Sequence, residues 1–189
     1  MTTIARHRPH AARAALTIVL TLLLAATTAA TDKPKKLKAP RPDTLRCFDP
    51  SLMDLIQQGL ARSSTLQSLT DHLERAGVIV FISYNHQLPA MTAGRTRLIT
   101  ATGAWRYLST ELSDHYSRVD LLALLAHELQ HAVEIADAPE VVDEASLIAL
   151  YRRIGSDEGR GAIQGAVWFE TQEAIDIGRR VLTELAGRW

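Results

Sequence analysis

One cysteine, Cys47, stands in a chain of 189 residues, so no internal disulfide can staple the fold. Net charge is lacking too, since 21 basic residues balance 21 acidic ones. The balance is uneven along the chain. Nine bases and two acids precede Cys47, which leaves the rest about seven charges negative, with no basic stripe to neutralise phosphates. Nucleic acid is thereby excluded as a partner. No internal repeat is visible, and the apolar run at residues 14–30 is padded with Ala and Thr and only just reaches the ~17 residues that span a bilayer.

What is there suffices for one globular domain: 47% hydrophobic residues and a mean hydropathy of −0.02 provide a core without a second domain. Residues 1–30 combine Arg6, Arg8 and Arg13 with the apolar run and small residues ahead of Asp32. That is the layout of a secretory signal cut after Ala30, implying a periplasmic or secreted protein. The competing reading is an uncleaved anchor, the one case in which a membrane is a partner. Residues 31–48, rich in Lys and Pro, are expected to form an extended linker. In such a chain Cys47 is expected to be buried and inert, with pairing between chains as the alternative.

The domain expected at 49–189 begins with two helices. Asp49 and Pro50 open the first, with Leu52, Leu55, Ile56 and Leu60 on one side, and Leu66, Leu69 and Leu73 mark the second, which ends at Gly77. A β-branched run at 78–84 reads as a strand, and 95–101 and 104–112 read as a hairpin across a Thr-Gly turn. Helices follow at 119–136 and 142–154, then a Gly-rich loop at 155–165 and a last helix at 171–186. This order predicts an α+β fold, mostly helical, with a small antiparallel three-stranded sheet packed on the long helix.

The long helix carries the chemistry. "ALLAHELQHAVEIAD" (123–137) places His127 and His131 one turn apart, so both imidazoles share a face and can bind one Zn²⁺. Glu128 follows the first ligand, where its carboxylate can act as general base toward a zinc-bound water attacking a peptide carbonyl. Uncharged residues frame the motif at Leu125, Ala126, Leu129, Gln130, Ala132 and Val133, and no proline interrupts it.

This frame resembles the active-site helix of the zincin metallopeptidases, over about a dozen residues and the helix–sheet–helix order. The resemblance implies a hydrolase acting on a peptide or protein. It also implies that a strand just before the active helix, here 104–112, borders the cleft and pairs with extended substrate. The metzincin pattern would put Gly at 134 and His at 137, where this chain has Glu134 and Asp137. The gluzincin pattern takes its third ligand from a later helix, which makes Glu170 the choice, with Glu173, Asp137 and Glu144 as alternatives. An acid four residues after that ligand is common in gluzincins, and Ala174 stands there instead.

Glu134 shares the face of His127 and His131, either to fix an imidazole or as a solvated side chain. Tyr107, Tyr116 and Tyr151 are candidates for stabilising an oxyanion, with core packing as their default, and His72, His86 and His115 are expected at the surface or in loops. The alternative function is a non-catalytic exported domain in which zinc is structural, its fourth position filled by protein.

Overall fold

The computed structural model describes residues 43–89, 91–155, 161–163, 166–168 and 170–187. The expected signal and most of the expected linker lie outside the described residues. The elements are β1 (Leu45–Cys47), α1 (Pro50–Leu60), α2 (Ser64–Arg75), β2 (Val78–Tyr84), β3 (Gly94–Thr102), β4 (Trp105–Leu112), α3 (Arg118–Ala136), α4 (Glu144–Ile154), β5 (Gly161–Ile163), β6 (Ala166–Trp168) and α5 (Gln172–Leu185).

Local chemistry sets the helix starts. Asp49 accepts from the backbone N–H of Ser51 and Leu52 at 2.8 and 3.1 Å, and Ser63 accepts from Leu66 N–H at 3.0 Å. Gly77 closes α2 with φ +72°, and a Cβ there would meet the Ala104 carbonyl oxygen at 2.6 Å, so this turn requires glycine. Leu52, Leu55 and Ile56 of α1 and Leu66, Leu69 and Leu73 of α2 are buried, as their spacing predicts.

The sheet corrects the expectation of three antiparallel strands. It has four strands in the order β1-β2-β4-β3, with β1/β2 and β2/β4 parallel and only β3/β4 antiparallel. β1 and β2 are parallel because two helices cross between them. The linker expected to reach residue 48 therefore ends sooner, since Leu45–Cys47 pair with Val80–Ile82. The β3–β4 hairpin is as expected, but β4 lies inside the sheet and β3 at its edge. The physical reason lies in the side chains: Leu108, Thr110 and Leu112 of β4 are fully buried, whereas Arg97, Ile99 and Thr100 of β3 are exposed, as an edge strand tolerates. The strand expected to meet substrate, 104–112, thus has neighbours on both sides. Within the expected loop at 155–165 the chain begins a second, two-stranded hairpin, β5–β6.

The α+β class stands, and α3 is its axis. Leu121, Leu122, Leu125, Ala126, Leu129, Ala132, Val133 and Ile135 are buried around most of its circumference, the mark of a helix covered on several sides. α5 lies along it, with Gly178 so close that a Cβ would stand 3.3 Å from the Ala123 carbonyl oxygen and 3.4 Å from His127 Cβ. Glu184 ties α5 to the start of α2 by accepting from the hydroxyls of Ser63, Ser64 and Thr65. No described helix is long and apolar enough to cross a membrane.

Candidate metal centre

α3 and the segment entering α5 bring His127, His131 and Glu170 together, with one donor atom from each lying within 4.8 Å of the others. His127 Nε2 is 3.2 Å from Glu170 Oε1, and His131 Nε2 is 3.6 Å from the same oxygen. The rings stand edge to face with centroids 5.0 Å apart. Two imidazole nitrogens and one carboxylate oxygen form a donor set that suits Zn²⁺, and no fourth His, Cys, Asp or Glu joins it among the described residues.

Glu134 is not a solvated side chain. Its Oε2 lies 2.8 Å from His131 Nδ1, and its Oε1 accepts from the Thr171 hydroxyl at 2.6 Å. An Nδ1–H donated to Glu134 leaves Nε2 facing Glu170, the orientation that a metal at this cluster would need. Thr171 is also the N-cap of α5, accepting from Ala174 N–H at 3.2 Å, so one hydroxyl links the helix start through Glu134 to His131. Buried Tyr151 donates to the His131 carbonyl at 3.3 Å and packs edge-on against the ring.

Glu128 stands beside the candidate ligands and outside their cluster. It is 4% exposed, and burial raises its carboxyl pKa above the ordinary value, while His131 and His127 pull the other way. Thr96 of β3 touches it twice, at 2.8 Å to Oε2 and 3.1 Å to its backbone carbonyl.

The alternative ligands lie elsewhere. Asp137 caps the end of α3 and bonds His72 Nε2 at 2.7 Å, while Glu144 and Glu173 are exposed in the first turns of α4 and α5. His86 and His115 are exposed beside Asp114. Tyr116 is exposed and so takes no place beside the imidazoles. The side chains of residues 167–169, expected to bury Glu170, are outside the described set. A groove of about 450 Å³ between α2, α3 and α5 is lined by none of the three candidate ligands.

Without metal, the site holds a proton between its own groups. Burial would raise the Glu170 carboxyl, but hydrogen bonds with His127 and His131 hold it down at about 2. Burial would lower His131, but hydrogen bonds with Glu134 and Glu170 push it up to about 10. The stability from Glu170 is present above its unfolded value of 4.5 and is lost as pH falls toward 2. That from His131 is full below 6.5 and is lost as pH rises toward 10, while Glu128, raised by burial, costs stability as pH rises above its unfolded value of 4.5. Calorimetry in chelator is therefore expected to give the highest melting temperature near pH 4.5, falling below it through Glu170 and above it through Glu128 and, past 6.5, through His131 as well. Because metal must displace the His131 proton, its apparent affinity should rise about tenfold per pH unit from pH 7 to 9. A flat profile in both measurements would contradict this charge arrangement.

Compared with protein-family models, curated proteins and solved structures, the chain matches none.

Proposed function

We propose that the chain is an exported zinc-dependent hydrolase of the zincin type, acting on a peptide or protein. One observation carries this reading: two imidazoles from one helix and a carboxylate from another converge, with a buried glutamate next to them and outside the donor set. His127, His131 and Glu170 would hold the metal. Zn²⁺ in such a site acts as a Lewis acid and lowers the pKa of water to about 7.

The chain's own groups do the rest. Glu134 and Thr171 keep His131 Nε2 turned to the donor cluster. Glu128 takes a proton from the attacking water and returns it to the leaving amine, a task suited to a carboxylate whose proton affinity burial has raised. The edge strand β3, which touches Glu128 through Thr96, favours an extended polypeptide, because such a chain can add to a sheet edge through backbone hydrogen bonds. A zinc that only ties α3 to α5 would need a fourth protein ligand, and the described residues offer none. Arg6, Arg8 and Arg13 with the apolar run behind them support export.

Hydrolysis of a mixed peptide library, followed by mass spectrometry, tests this. Cleavage should stop after dialysis against dipicolinic acid and return to the starting rate with Zn²⁺. Cleavage that persists in chelator would refute metal dependence, and a zinc-loaded protein that cleaves nothing would favour the structural site.

A further inference from the structure

Two residues of β3, Thr96 and Gly94, meet at the Glu128 carboxylate. Thr96 Oγ1 lies 2.8 Å from Glu128 Oε2, 3.1 Å from the Glu128 carbonyl oxygen and 2.9 Å from the Thr110 hydroxyl of β4. Thr110 is fully buried, so its hydroxyl proton needs an acceptor, and Thr96 supplies one across the antiparallel pair that they form. The single proton of Thr96 is then free for Glu128. The chain of donors runs Thr110 to Thr96 to carboxylate, each bond polarising the next.

Gly94 completes the setting two residues earlier on the same face of β3. A Cβ there would stand 2.7 Å from Glu128 Oε1 and 2.9 Å from its Cγ, so any side chain at 94 would push the carboxylate out of place. Glycine holds this position for the space it leaves and not for its backbone angle, because its φ lies outside the left-handed region.

We propose that Thr96 is a positioning residue for Glu128: its hydroxyl, backed by Thr110, and the gap at Gly94 lock the carboxylate in one rotamer beside the ligand imidazoles. The consequence is that the edge strand fixes the general base as well as bordering it. This rests on the reading of Glu128 as general base, and the test separates the two.

Full-length protein loaded with Co²⁺ is titrated with acetohydroxamic acid, followed by the visible absorption of the metal. A hydroxamate that ligates the metal presents N–H and O–H groups, and a correctly held carboxylate alongside accepts a hydrogen bond from them. Thr96→Val and Glu128→Gln should each weaken the hydroxamate by about tenfold or more, the factor that losing a hydrogen bond to a charged group carries. Thr96→Ser should keep parental affinity, and Co²⁺ affinity should be the same in all four proteins. A merely structural threonine would lower the melting temperature of Thr96→Val and leave its hydroxamate affinity untouched, which overturns the proposal. If Glu128→Gln also binds like the parent, the general-base reading fails and the proposal falls with it. Should Thr96→Val not fold by circular dichroism, Thr110→Val takes its place: weakened hydroxamate supports the relay and parental affinity refutes it.

Discussion

Glu128→Gln is expected to keep the zinc content of the parent while lowering kcat about a hundred- to ten-thousandfold, the range that general acid–base catalysis contributes. Glutamine has the shape of glutamate and can still accept from Thr96 through its amide oxygen, so the setting between Gly94 and Thr96 survives. It has no basic oxygen to take a proton. Stability should move the opposite way. Burial raises the Glu128 pKa, so keeping it ionised in the fold costs free energy that grows as pH rises above its unfolded value of 4.5. Glutamine removes that cost, and the variant should melt above the parent at pH 8, a trade of activity for stability. Peptide cleavage at the parental rate, with zinc in place, would reject the general-base role.

Glu170→Ala should have the largest effect on metal. A partner that merely orients a ligand contributes about 10- to 100-fold in affinity, so loss of a ligand itself should cost at least about 100-fold. At a zinc concentration a hundred times the parental Kd, zinc stabilises the parent by about 2.7 kcal/mol and the variant by about 0.4 kcal/mol or less. Thermal shift with and without Zn²⁺ reads this difference directly. The same change also leaves His127 and His131 without the carboxylate that both face, so the metal-free variant should lose stability most between about pH 4.5 and 6.5, where Glu170 is ionised and His131 is protonated in the parent. Unchanged zinc stabilisation in the variant would reassign the third ligand.

How far these residues are legible in the sequence depends on how local their geometry is. β2 falls at 78–84 and α3 one residue before its expected start, because a β-branched run and a long apolar helix are local signals. The two histidines follow from helix periodicity, and so does Glu134, three residues after His131. Glu170 is legible through the gluzincin resemblance, which makes it the choice over Glu173, Asp137 and Glu144 without any local pattern that separates them. Its selection comes from α5 packing along α3, which no local pattern encodes. The sheet illustrates the same limit. β1 is three residues beside a Pro- and Lys-rich stretch, too short for any period to show, and its parallel pairing is set by a partner more than thirty residues away. The hairpin was readable, but which of its strands lies inside was not obvious from alternation. The polar side chains of β3 were the available clue. Thr96 and Gly94 had no signal, since their partner is on a helix packed across the fold.

Metal analysis tests most directly whether α3 and the start of α5 together grip one divalent ion. The parent, purified without metal-affinity steps, should carry about one zinc per chain, with His127→Ala and His131→Ala each falling to a small fraction of that. A parent that is free of metal and takes up no Zn²⁺ on calorimetric titration would contradict the account.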